Sequence, residues 1–306
     1  MPDDAPDSLS QRHIPVEEVT QAVLASAKYV ALEPALVKEI AAQELAKGAR
    51  VKDAVKQVKN RLHQSVAAYW DGRTDFATWR TTLAAASDTP SQRTALLAMM
   101  RAHHSTRERL PFLDAFYSTL FAGLGPIRRV LDLGCGLNPL ALPWMNLPVD
   151  AAYHACDVDR AQMDFLAWWL AHSGCAGRAF VWNLLDGAPP GNGAPPGNGA
   201  PPGNGAPSSG NAPSEDGSAP FDVALLLKIV PCLTQLDKAI GARLLNAVTA
   251  RVLIVSFPAQ SLSGRRKGMI ATYAAQMEAL LAGRSWPVER FEFPSELVFR
   301  IRRDLG

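Results

Sequence analysis

No stretch of this chain approaches the roughly 18 consecutive apolar residues that cross a bilayer. The longest candidate, VALLLKIVPCL from Val223, is broken by Lys228 and Pro231, so a spanning helix is excluded. Cysteine is scarce: Cys135, Cys156, Cys175 and Cys232 are the only four, and no two of them form a CxxC pair. Such spacing suits neither a zinc site nor a disulfide framework, so buried thiols, a reducing compartment and no metal are expected. A dominant charge is missing too. The 31 Lys and Arg against 29 Asp and Glu leave a net charge of only +2, so affinity for a polyanion must come from a local patch. The opening residues MPDDAPDSLS are acidic and polar where a secretory signal is basic and then apolar. A flexible acidic segment over residues 1–18 and a cytoplasmic location are expected.

What is present is an ordinary globular composition, 48% apolar and 20% charged over 306 residues, long enough for two domains or for one large domain with an appendage. From residue 19 to 121 the pattern is helical, with Ala, Leu and Val recurring at three- and four-residue spacing. Between Val51 and Leu62 the apolar positions Val51, Val55, Val58 and Leu62 fall on one face while Lys52, Lys56 and Lys59 line another. Stacked basic residues mildly repel one another, and a phosphate backbone offsets that repulsion. A solvated helix face is the plainer alternative.

Residues 122–306 change to short aliphatic runs separated by helical stretches, which predicts a doubly wound α/β domain with a parallel sheet. Strands are expected at Arg129–Leu133, Ala152–Val158, Ala179–Leu185, Phe221–Val230 and Arg251–Phe257, with helices at Arg160–His172 and Lys238–Ala250. Glu289–Phe293 and Leu297–Arg303 alternate across Pro294 as a closing antiparallel pair. One segment interrupts this texture. Over residues 187–220 the hexapeptide GAPPGN occurs three times in tandem, from Gly187, Gly193 and Gly199, followed by GAPSSGN from Gly205. It has almost nothing apolar to set against the entropy of ordering, so a disordered loop without a role in binding is expected.

The first strand runs into VLDLGCGLNPL, with Asp132, Gly134 and Gly136 where it turns towards its helix. A dinucleotide fingerprint would carry a third glycine where Pro139 stands, which argues against nicotinamide or flavin. Asp-x-Gly-x-Gly resembles instead the pattern of Rossmann-like S-adenosylmethionine-dependent methyltransferases. Asp157 and Asp186 follow at the ends of the second and third strands, where they suit the ribose hydroxyls and the adenine amino group. A carboxylate in such a place also serves as an ordinary helix cap.

Just before this domain lies HHSTRER, residues 103–109, in which Ser105 and Glu108 have capping-box spacing. HxSTxER, followed by LDLGCGLNPLAL, KIVPCL and VSFPAQSLSGRRKGM, resembles one narrow family, the 16S ribosomal RNA guanine-N7 methyltransferases that confer aminoglycoside resistance. The resemblance extends through SAKYVAL and NRLHQSVAAY to most of the chain outside the repeats. It implies an all-helical N-terminal extension that docks on the 30S subunit, followed by a class I methyltransferase domain acting at helix 44 of 16S rRNA. A monomer that engages neither DNA nor membrane is expected. By position, His103, Ser105, Thr106 and Arg109 would flank S-adenosylmethionine, with Arg109 pairing its methionine carboxylate. Asp132, Gly134, Gly136, Asp157, Val158, Leu185, Asp186 and Lys228 complete the expected cofactor set. Asn138 and Ser256 are candidates for the edge of the target base and Phe257 for stacking on it. The expected rRNA contacts are Lys28, Lys52, Lys56, Lys59, Arg61, Arg265, Arg266 and Lys267. An adenine-N1 methyltransferase of the same ribosomal site, a small-molecule methyltransferase and a catalytically dead RNA-binding module are the rival readings.

Overall fold

A computed structural model describes residues 8–72, 74–189, 219–260 and 268–303, with side chains from Pro15 onward. Nearly all of the GAPPGN segment, and Arg265, Arg266 and Lys267, lie outside the described residues. The chain opens with helices α1 (Ser8–Leu24), α2 (Pro34–Ala46) and α3 (Val51–Ser65), then α4 (Phe76–Ala85), α5 (Thr89–Met100), the short α6 (His104–Arg107) and α7 (Leu113–Phe121). The sheet domain follows as β1 (Arg129–Leu133), β2 (Ala152–Asp157), α8 (Arg160–His172), β3 (Ala176–Val181), β4 (Phe221–Leu227), α9 (Ile229–Thr234), α10 (Ile240–Ala247), β5 (Ala250–Pro258), α11 (Met269–Leu281), β6 (Val288–Glu292) and β7 (Glu296–Arg302). Strand order is β3-β2-β1-β4-β5-β7-β6. The first five are parallel, whereas β7 runs antiparallel to both β5 and β6.

Alternation along the strands sends side chains to two cores. Leu131, Leu133, Ala224 and Leu226 face a layer that contains α9 and α10, while Val130, Val223 and Leu225 face α8 and α7. The helical segment joins both. Val19, Val23, Ile40, Val58 and Leu62 belong to the first cluster; Leu83, Leu96, Met100 and Phe116 belong to the second. The boundary near residue 121 therefore does not separate two cores. In α3, Ala54, Val58 and Leu62 are fully buried, and each such Val or Leu contributes about 1.5–3 kcal/mol. Lys52 and Lys56 on the same helix are exposed and Lys59 is half-buried, as a two-faced helix requires.

Three expectations are corrected. Helix starts at Ser8 rather than after residue 18, because α1 carries Val16, Val19 and Val23 at spacings that pack on the first core, despite Pro15 within it. β1 is followed by a 3-10 stretch, Asn138–Trp144, in place of an α-helix; Pro139 and Pro143 deny it the regular amide ladder. β3 ends at Val181 rather than Leu185, so Asp186 sits in a 3-10 turn (Leu184–Asp186) beyond the strand. Cys135, Cys156 and Cys232 are buried free thiols, and Cys175 is half-buried. No helix among the described residues is long and apolar enough to cross a membrane.

Candidate functional site

The carboxyl ends of β1, β2, β3 and β4 open on one crevice, at the point where strand order reverses between β1 and β4. Its floor is the Gly134–Gly136 turn. Both glycines have left-handed backbones, with φ of +61° and +51°, and neither has room for a side chain. A Cβ at Gly134 would stand 2.5 Å from Ile229 Cγ1, and one at Gly136 would stand 2.7 Å from His103 Cε1. The glycines thus let two walls of the crevice close on the turn.

Asp157, at the end of β2, locks this floor. Its two oxygens accept from the Gly136 amide at 2.9 Å and from the Val158 amide at 2.7 Å. Burial raises the carboxyl above its ordinary value, while these amides pull it the other way. A carboxylate takes about four hydrogen bonds, so two places remain for a pair of hydroxyls. Gln162 braces the turn from α8 by donating to the Gly136 carbonyl at 2.9 Å. Beyond Asp157 the wall is formed by Val158, Trp182, Asn183 and Leu184, an apolar slot with one amide that suits a flat heterocycle.

The opposite wall comes from the HHSTRER segment. His103 is buried between Tyr69 and Trp70, with ring separations of 6.0 and 5.1 Å. Burial, then the charges of His104, Arg109 and Lys228, push its pKa down to about 3, so the ring is neutral. His103 Nδ1 has no hydrogen-bond partner among the described residues. Thr106 uses its hydroxyl on the Met100 and His103 carbonyls, at 2.7 and 3.0 Å, to hold the segment's bend. Ser105 also lines the crevice. The capping box between Ser105 and Glu108 does not form; His103 occupies the cap position of α6 and Glu108 turns to Lys228.

Beneath this wall lies a buried charge network that the sequence did not announce. Arg109 is 1% exposed, and its Nε donates to Glu296 Oε1 at 2.8 Å while Nη1 donates to Asn138 Oδ1 at 2.8 Å. Lys228 holds the left-handed conformation, φ +59°, a strain of order 1–3 kcal/mol for a residue with a side chain. Its backbone amide is tied to Ser256, and its Nζ lies 2.6 Å from Glu108 Oε2 and 3.4 Å from Glu296 Oε1. Burial alone would raise the Glu296 carboxyl, but Arg109, Lys228 and the Ser256 hydroxyl outweigh it and hold the pKa below the ordinary range.

Several expected roles change accordingly. Two Arg109 nitrogens already donate to Glu296 and Asn138, while Nη2, 2.7 Å from Glu296 Oε1, makes no aligned hydrogen bond, so the fork that lines the crevice is partly engaged and keeps donors to spare. Asp132 is wholly buried beneath the floor, accepting from Tyr153 OH at 2.6 Å and Asn138 Nδ2 at 2.9 Å, and burial raises its pKa to about 6. Leu185 and Asp186 do not line the crevice, and Asp186 points to solvent; Asn183 and Leu184 take their place because β3 ends early. Neither Ser256 nor Phe257 is open to a base. Ser256 is buried against Lys228 and Glu296, and Phe257 is core, stacked on Tyr273 at 5.1 Å. Asn138 faces the crevice with its amide already committed to Arg109, Tyr117, Asp132 and Tyr153. On α3, Arg61 is a latch rather than a free cation, donating to Glu44 at 2.7 Å and to the Leu236 carbonyl at 3.1 Å. Lys28 is exposed, with Nζ 3.1 Å from His63 Nδ1.

The model of the ribosomal RNA methyltransferase (FmrO) family matches residues 25–195 and 210–300. The chain belongs to this family. Among curated relatives, the 16S rRNA (guanine(1405)-N(7))-methyltransferase of Frankia casuarinae is 34% identical over 293 residues, covering 94% of each chain. The protein of the same name from Micromonospora echinospora is 32% identical, covering 94% of this chain and 97% of its own. The crystal structure of the 16S rRNA methyltransferase RmtF in complex with S-adenosyl-L-homocysteine has a TM-score of 0.74 at 28% identity, over 94% of this chain and 98% of that one. The FmrO family assignment fits the crevice. S-adenosylmethionine carries a ribose diol, a flat base and an amino-acid end. The spare acceptors of Asp157, the slot at Trp182–Leu184 and the unpartnered His103 nitrogen are complementary to that set.

Proposed function

We propose that this FmrO-family chain methylates N7 of guanine 1405 of 16S rRNA, at the top of helix 44 in the assembled 30S subunit. It would act as a cytoplasmic monomer and so confer aminoglycoside resistance. The observation that carries the reading is the near-complete alignment with relatives named for that activity, together with the crevice at the carboxyl ends of the strands. In this reading Asp157 holds the ribose, Trp182, Asn183 and Leu184 hold the adenine, and His103, Ser105 and Thr106 enclose the methionine end. S-adenosylmethionine, when bound, supplies an electrophilic methyl group.

Guanine N7 has an in-plane lone pair and no proton, so attack requires no general base. The groups of the crevice agree with that demand: Asp157 is held by two backbone amides, and burial lowers His103 to about 3, which leaves it a weak base. Catalysis then rests on alignment of the acceptor with the methyl carbon, a source of roughly 7–11 kcal/mol in favourable systems. The exposed Lys28, Lys52 and Lys56, with the half-buried Lys59, supply a cationic face for phosphate contacts. Such contacts favour recognition of an assembled particle by shape, because A-form grooves offer little base readout.

Incubation with methyl-labelled cofactor and three acceptors tests the reading: 30S subunits, protein-free 16S rRNA and a panel of small-molecule methyl acceptors. Label is expected in 30S alone. Transfer to the small molecules, or to free RNA as readily as to 30S, contradicts it.

A further inference from the structure

The connection between α1 and α2, residues 25–33, touches both the cofactor crevice and the cationic face. On one side it is sewn to the loop after β2. Leu32 forms a short antiparallel β-bridge with Asp159, two residues beyond Asp157. The Glu33 amide donates to the Val158 carbonyl at 2.8 Å, and the Arg160 amide donates back to the Ala31 carbonyl at 2.8 Å. Arg160 adds its guanidinium, with Nη2 donating to the Val30 carbonyl at 3.2 Å. The first two residues of that loop, Asp157 and Val158, line the crevice. On its other side the connection lies against α3. Lys28 is exposed and Val30 is 56% exposed, but Tyr29 turns inward between them and its hydroxyl donates to the Lys59 carbonyl at 3.0 Å. Helix α3 carries Lys52, Lys56 and Lys59 and ends at Ser65, where Ser65, Val66, Tyr69 and Trp70 become crevice wall. The crevice therefore lies between the sheet and the helical extension.

We infer that cofactor binding and 30S docking are positively linked through this connection, each ligand tightening the other; the inference rests on the functional reading above. A cofactor in the crevice touches Asp157 and Val158 on the sheet side and Leu36, Val66, Tyr69 and Trp70 on the helical side. It therefore favours one fixed placement of α1, α2 and α3 against the sheet. A 30S subunit that meets the lysine face while presenting its target to the crevice demands the same placement. Two ligands that favour one arrangement bind cooperatively, and linkage makes the two factors equal. The hydrogen bonds from Lys59 through Tyr29 and from residues 30–33 to Val158 and Arg160 give a contiguous physical route for that coupling. The protein thus docks most tightly when it already holds its cofactor.

S-adenosylhomocysteine, which has no methyl group to transfer, is the probe. Its Kd is measured by equilibrium dialysis with and without saturating 30S, and the 30S Kd by filter binding with and without saturating S-adenosylhomocysteine. Both constants are expected to tighten by the same factor, about fivefold or more. Cofactor-free protein is the reference for each 30S constant, so a crevice change such as Asp157→Ala leaves that reference alone. Tyr29→Phe removes only the hydroxyl that ties the connection to α3. It is expected to keep each constant, measured without the other ligand, within about twofold of wild type, and to cut the coupling factor by about half or more. Wild-type constants that do not respond to the second ligand overturn the inference, and a coupling factor unchanged in Tyr29→Phe overturns its assignment to this connection. If Tyr29→Phe does not fold, Arg160→Ala, which frees the Val30 carbonyl, takes its place with the same expectation. Folded wild type that binds S-adenosylhomocysteine but not 30S removes the functional reading itself, whereas binding of both without linkage removes this inference alone.

Discussion

Replacing Glu296 by alanine isolates the buried network that holds the wall of the crevice. Glu296 is fully buried, 2.7–2.8 Å from two nitrogens of Arg109 and 3.4 Å from Lys228. Without it the Arg109 guanidinium, itself 1% exposed, keeps the Asn138 oxygen at 2.8 Å and the face of the Phe116 ring at 4.5 Å, and no carboxylate among its hydrogen-bond partners in the described residues. Leaving one member of a buried ion pair alone costs about 3–5 kcal/mol. At about 2–4 °C per kcal/mol the melting temperature should fall by roughly 6–20 °C. Removing the second charge as well, as Arg109→Met with Glu296→Leu, should recover much of the loss, because no uncompensated charge remains. The pH dependence has a definite sign. The folded Glu296 carboxyl lies below its ordinary 4.5, so its stabilisation is present above that value and is lost as the pH falls through the lower folded one. The gap between wild type and Glu296→Ala, measured by urea unfolding, should therefore be largest near neutrality and narrow in acid. A loss below about 1 kcal/mol at neutral pH, or a double variant as unstable as the sum of its singles, refutes the reasoning.

Asp157→Ala should weaken S-adenosylmethionine binding by about 10–100-fold in calorimetry, the worth of one or two hydrogen bonds to a charged group, while 30S affinity stays within about twofold. Lys52, Lys56 and Lys59 changed together to Glu should do the reverse, lowering 30S affinity and flattening its salt dependence by about 0.7–0.9 in slope for each phosphate no longer neutralised; an unchanged slope in filter binding would reduce the patch to a solvated face. Burial raises Asp132 to about 6 from an ordinary 3.8, so the folded state holds that proton more tightly than the unfolded chain. Its contribution is therefore full below the unfolded value and lost as the pH rises through the folded one. Asp132→Asn should remove this decline, which urea midpoints at pH 5 and pH 8 will show.

Most of the sheet was legible because parallel strands buried on both faces read as aliphatic runs, and β1 falls on the expected residues. The glycine turn and Asp157 were legible for a similar reason: only small residues fit where His103 and Ile229 close in, and a carboxylate at a strand end marks a ligand site. What escaped were contacts made across the fold. Glu296 opens β7, far along the chain from Arg109, and becomes its partner only because β7 folds antiparallel onto β5. Glu108 reads as half of a capping box, and its pairing with Lys228 depends on a left-handed backbone after β4. Phe257 reads as a stacking surface since it ends an aliphatic strand, yet α11 lays Tyr273 over it. Lys52 and Lys56 are readable as a surface stripe, but Arg61, in the same run, is drawn inward by the buried carboxylate of Glu44 on α2.

The most direct measurement is the position of the new methyl group. 30S subunits treated with the protein and S-adenosylmethionine are reduced and cleaved with aniline, and 16S rRNA is read by primer extension. A single new break at guanine 1405 is predicted, abolished by omitting the cofactor. A break at any other guanine, or a stop at a decoding-site adenine without strand scission, contradicts the account.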